Sequence, residues 1–170
     1  MRVLMLLITL TGCTTISFRT GMAVVGGKPA FQASIEIGPS IMRTHHGISA
    51  THEYGVAADQ SGAKALAAFN LDHTVIDPDV GPVAKVGVRF RATMKSQGEE
   101  LVDQTHALLV HAAAYTGLAR DAKDKSGGFG IEIGGGVASA AMRTAVDGTR
   151  YGKQTSIFEA NIVVHGHGHM

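Results

Sequence analysis

Strict two-residue alternation is what most limits how this chain can fold. Phe31, Ala33, Ile35 and Ile37 alternate with Gln32, Ser34, Glu36 and Gly38. Ala84, Val86, Val88, Phe90 and Ala92 alternate with Lys85, Gly87, Arg89, Arg91 and Thr93. The pattern returns at Phe129–Gly134 and Ile157–Val164, and more weakly at 16–24, 48–58 and 67–75. Side chains two apart share a face of a β-strand, so each segment is a ribbon with one apolar and one polar side. Turn chemistry separates these ribbons. Gly26-Gly27-Lys28-Pro29, Asp77-Pro78-Asp79, Ser96-Gln97-Gly98, Lys125-Ser126-Gly127-Gly128 and Asp147-Gly148 supply the residues that tight turns need. Spacing this short suits antiparallel hairpins, because parallel strands need long crossovers.

The segment Glu99–Arg120 reads two ways. As a helix it would place Leu101, Thr105, Leu108, Ala112 and Tyr115 on one face, with acids at its start and Arg120 at its end. As a strand it would place His106, Leu108, Val110, Ala112 and Ala114 together. We read it as a strand, because an eighth strand completes an even-numbered barrel. The expected fold is all-β, an antiparallel up-and-down barrel of about eight strands. A soluble lipocalin-like barrel or a β-sandwich is the alternative.

The polar faces carry Arg19, Glu36, Glu53, Asp72, Lys85, Arg89, Arg91, Glu132 and Glu159, interleaved with many of the 22 glycines. Turned inward, these charges can pair across a narrow lumen and the apolar faces meet lipid. Turned outward, they form a solvated surface around an apolar core or pocket. Small residues on the charged face suit a crowded interior. The low aromatic content of 5% and the absence of Trp leave only thin aromatic girdles. The inward arrangement, a barrel inserted in a membrane, is the expectation taken forward.

The amino terminus adds a second constraint. Met1-Arg2 precedes the apolar run Val3–Ile8, which Leu10-Thr11-Gly12-Cys13 closes. The run is too short for a membrane helix, which needs about 20 apolar residues, and has the length of a signal-peptide core. The closing tetrad resembles the lipobox of bacterial lipoproteins. That resemblance implies cleavage of residues 1–12, a single domain over 13–170, and acylation of Cys13 that holds the chain to membrane lipid. Thr14 after the cysteine implies sorting to the outer membrane.

The remaining candidates are few. Formal net charge is +1, and removing the signal leaves 14 basic against 14 acidic residues, so nothing electrostatic favours nucleic acid. One cysteine excludes an internal disulfide. His165, His167 and His169 would share a strand face and could hold a divalent metal, though a frayed tail that binds metal only incidentally is the plainer explanation. His45, His46 and His52 read as solvated loop or strand residues, and His106 and His111 fall on opposite faces. Glu36, Glu132 and Glu159 could act as general acids if buried together, but ion pairing explains them without catalysis. No nucleophile elbow or Walker loop is present, and Gly134-Gly135-Gly136 lacks the spacing of a dinucleotide site. The expected role is structural or adhesive in the cell envelope, without enzymatic activity or a required cofactor. The alternative is a lipoprotein holding a small hydrophobic ligand.

Overall fold

The computed structural model of the chain describes residues 13–77, 79, 81–97, 100–121, 125–144 and 148–169. Eight antiparallel strands close into one barrel in chain order. They are β1 (Cys13–Val25), β2 (Lys28–Met42), β3 (His46–Asp59), β4 (Gly62–Asp77), β5 (Gly81–Gln97), β6 (Glu100–Asp121), β7 (Lys125–Thr144) and β8 (Gly148–His169). Every strand pairs with its sequence neighbours, and β1 pairs with β8 from Cys13↔His169 to Val25↔Ile157. Closure leaves the sheet without an unpaired edge where β1 and β8 pair.

The expected strand set is present, including the disputed segment, which forms β6. Its helical stripe is split between two faces: Leu108 and Ala112 point outward while Tyr115 is buried. Pairing with β5 and β7 on both sides decides the matter, since a helix there would leave those neighbours open. The β1–β2 turn is Gly26-Gly27, with φ of 56° and 81°. Two successive positive φ values match the right-handed twist of a hairpin and strongly favour glycine.

Register fixes the shape of the barrel. Following paired residues from Ile16 through Ile37, His52, Phe69, Phe90, Leu108, Val137 and Ser156 returns to β1 at Gly26, ten residues beyond the start. At about 3.3 Å per residue and about 4.8 Å between strands, that offset tilts the strands by about 40°. The offset is even, so the inner face of β8 continues into the inner face of β1.

The faces are sorted the opposite way from a soluble barrel. Large apolar side chains stand exposed on the outside of all eight strands, among them Phe18, Ile35, Val56, Leu71, Phe90, Val110, Ile133 and Phe158. All six phenylalanines point outward. Along β2 the outward residues run from Phe31 to Ile41, about 25 Å of axial height at this tilt. Within this belt no described outward residue is Asp, Glu, Lys or Arg.

Candidate functional site: a charge network sealed in the lumen

The nine charged residues of the polar faces all turn inward, and all are almost fully buried. Alternation places them there. Once the apolar side chains of a strand face outward, every second residue must enter a lumen that eight strands leave only wide enough for side chains. Three levels follow one another along the axis. Toward the end with the Gly26-Gly27 and Gln60-Ser61 turns, the lumen is filled by Ala23, Ala57, Leu66, Leu109, Ala138 and Ile157. The charges occupy the middle. Toward the end where β1 begins and β8 finishes, Thr15, Ser17, Ser40, Ser49, Thr74, Tyr115 and His165 are buried.

Two arginines organise the middle level. Arg19 on β1 pairs with Glu36 on β2, with Glu132 on β7 at 3.1 Å and with Glu53 on β3 at 3.5 Å. Arg89 on β5 reaches Glu159 on β8 at 2.5 Å, Glu132 at 2.6 Å and Glu53 at 3.3 Å. Its Nε also donates to Asn70 Oδ1 at 2.8 Å. Arg91 pairs with Glu159 as well. Lys85 lies 3.1 Å from Asp72 and 3.5 Å from Glu36, and His111 Nε2 lies 2.8 Å from the other Asp72 oxygen. Neutral groups complete the shell. Thr51 donates to Glu36, Ser34 donates to Glu53 at 2.5 Å, and Gln32 donates to Asn161 at 2.8 Å.

All eight strands contribute a member to this network, counting His111 of β6. A lone buried charge costs several kcal/mol, so burial of this many is tolerated only because each faces an opposite charge or a hydrogen-bonding partner. Glycine makes the crowding possible: a Cβ on Gly87 would run into the Asp72 carboxylate. Chemically the arrangement leaves little room for proton transfer. Glu36, Glu132 and Glu159 are buried together as the sequence suggested, but each is held by an arginine or lysine.

The histidines are dispersed. His165 enters the lumen, where Ser17 Oγ and its Nδ1 lie 2.6 Å apart, and its ring sits 5.0 Å from that of Tyr115. The strand continues to His169, while the side chains of His167 and His169 lie outside the described residues. Among the described residues no group of three or more His, Cys, Asp or Glu is placed to hold a metal. His46 stacks on His73 at the barrel surface with ring centroids 5.3 Å apart, and His52 faces outward against Phe69. His106 and His111 do occupy opposite faces, the second buried in the network. Gly134–Gly136 lies within β7 and forms no loop. Strand β1 begins at Cys13 itself, earlier than the alternation indicated; residues 1–12 and the cysteine side chain lie outside the described residues.

Gln32 and Asn161 fall on the polar faces that the alternation marked; sequence reasoning missed Asn70 and the hydroxyl level of Thr15, Ser17, Ser40, Ser49 and Thr74 as parts of the lumen. Their signal was present, since each occupies the same parity as a charged residue on its strand.

No protein-family model matches the chain, and no curated protein matches it in sequence. Among solved structures, the N-terminal β-barrel domain of Pseudomonas aeruginosa OprF is similar in fold over 92% of this chain and 98% of that one, with 9% identity and a TM-score of 0.49.

Proposed function

We propose that this chain is an outer-membrane β-barrel with a structural role in the cell envelope, and that it is not an enzyme. One observation carries the reading: among the described residues no formal charge stands on the outer belt of any strand, while four cations and five carboxylates are sealed within. A protein surrounded by water has no reason to expose Phe, Ile and Val over about 25 Å of its height while burying its charges. Hydrocarbon around the barrel accounts for both. A ligand-holding barrel of lipocalin type needs an apolar cavity, whereas the interior here is crossed at its middle by ion pairs and packed with side chains on either side of them. The filled lumen also supports a role other than solute passage. The turns Gly26-Gly27 and Gln60-Ser61 at one end are two residues each and the β2–β3 connection at the other, 43–45, is three, which gives an adhesive role little loop surface and favours support of the envelope.

The lipobox-like Leu10-Thr11-Gly12-Cys13 adds a tether to this reading. With β1 starting at Cys13, acyl chains on that residue would enter the leaflet at the rim of the barrel. The test separates tether from barrel. A Cys13→Ser variant should stay in the membrane pellet through alkaline washing and need detergent for release. Release as a soluble monomer would refute insertion of the barrel.

A further inference from the structure

The outer wall carries a few polar side chains, among them Thr20, His52 and His73. His52 is the middle of the seven outward residues of β3, His46, Ile48, Ala50, His52, Tyr54, Val56 and Ala58. It is exposed, it packs against Phe69 with ring centroids 5.4 Å apart and stacks on Tyr54 at 6.4 Å, and among the described residues it makes no hydrogen bond. Tyr54 beside it is 57% exposed. On the membrane-spanning reading above, on which this inference rests, an imidazole at the centre of the belt faces hydrocarbon. Neither water nor a lipid headgroup reaches that depth, and an unsatisfied polar group there is costly.

The same wall is indented on both sides of Tyr54. A groove of about 510 Å³ runs past Ala67, Phe69, Phe90, Ala92 and Leu108. A second of about 440 Å³ lies over Thr20, Ala33 and Gly55. A projecting phenol between two hollows floored by small residues is a shape that can fit against itself.

We infer that the β3–β5 wall pairs with the same wall of a second copy within the bilayer, His52 and Tyr54 of each meeting those of the other. Depth selects this partner. Copies inserted in the same direction are related by a twofold axis along the membrane normal, which brings residues of equal depth face to face. His52 therefore meets a group able to hydrogen-bond, imidazole or phenol, where hydrocarbon offers none. Tyr54 of one copy enters the groove beside Phe69 and Phe90 of the other. Small residues under the contact let the walls approach closely, as between membrane helices, and no charged side chain on either wall opposes it.

Thiol cross-linking in vesicles tests the pairing. Chains carrying Cys13→Ser and Ala50→Cys, folded into phosphatidylcholine vesicles and treated with a short bifunctional maleimide, should give a covalent dimer. The same chain with Ile131→Cys in place of Ala50→Cys presents its thiol on β7, across the barrel, and should stay monomeric. Adding His52→Leu to the Ala50→Cys chain should weaken dimerisation about 3- to 30-fold, the range that interhelical hydrogen bonds contribute in membranes. His52→Asn, which keeps a hydrogen-bonding group, should restore part of it. A chain that resists alkaline washing yet never cross-links through position 50, or cross-links equally well with His52→Leu and Tyr54→Ala together, overturns the pairing and leaves insertion standing. A chain that the wash removes overturns both.

Discussion

The inner and outer faces of this barrel are made by the same strands and obey different rules. On β5, Arg89 is buried among three carboxylates while Phe90, the next residue, is exposed at 52%. The outer face is specified only by class: on the proposed membrane reading any apolar residue of moderate size serves, because lipid conforms to whatever shape it meets. The inner face is specified by partner, since each charge needs a particular opposite residue on a particular strand. Stability that depends on identity therefore lies inside, and compatibility with the solvent lies outside.

The largest expected effect tests that division directly. Arg89→Leu leaves Glu53, Glu132 and Glu159 with one cation fewer in a closed space. Breaking buried pairs in this way costs about 3–5 kcal/mol. Val110→Ala, on the outer face of β6 and 60% exposed, should cost about 1 kcal/mol. Urea unfolding of both variants in phospholipid vesicles measures the difference. Equal losses would mean that the network is incidental to stability.

The second effect probes the outside. Ile133 is 61% exposed on β7, within the apolar belt. Replacing it with arginine should cost about 2–4 kcal/mol in a bilayer, because a charge near the midplane meets hydrocarbon. In water the same substitution would add an ordinary solvated side chain and change little. Folding yields into vesicles for Ile133→Arg and Ile133→Leu supply the comparison, and an unaffected arginine variant would deny the outer face its lipid.

How much of this was legible beforehand follows from the same division. Alternation in Phe31–Gly38 and Ala84–Thr93 gave strands and faces, because period two is a local property. Which face turns inward is not local. Lys85, Arg89 and Arg91 look the same in sequence whether they meet water or carboxylates; only closure of β1 on β8, pairing residues more than 130 apart, decides it. The ambiguity of residues 99–120 had a similar origin. Alanine-rich β6 has no sharp polar face, since its inner positions include Ala107, Leu109 and Ala113, which belong to less polar levels of the lumen. His111 could be assigned the opposite face from His106, but its partner Asp72 lies 39 residues away and no spacing rule connects them.

The smallest effect lies where the inner face meets water again, at the β3–β4 hairpin beyond the apolar belt. Asp59 Oδ1 accepts hydrogen bonds from Ser61 Oγ at 2.6 Å and from the Ser61 backbone N–H at 2.7 Å, and Lys64 Nζ lies 3.0 Å from Oδ2. The Ser61 hydroxyl is the main reason that the Asp59 carboxyl is held down at about 2, from an ordinary 3.8, with Lys64 adding to it. A carboxylate with a lowered pKa stabilises the fold above its ordinary value, and that contribution disappears as pH falls through the folded-state value. Asp59→Asn should therefore be less stable than the parent by no more than about 1 kcal/mol at neutral pH, because solvent screens the pair. The gap should begin to close as pH drops below 3.8 and vanish below about 2. If it closed in high salt at neutral pH as well, the rim would behave as solvated surface. If it resisted salt, the neutral Ser61 donors, which salt does not screen, would carry the effect and Lys64 would add little.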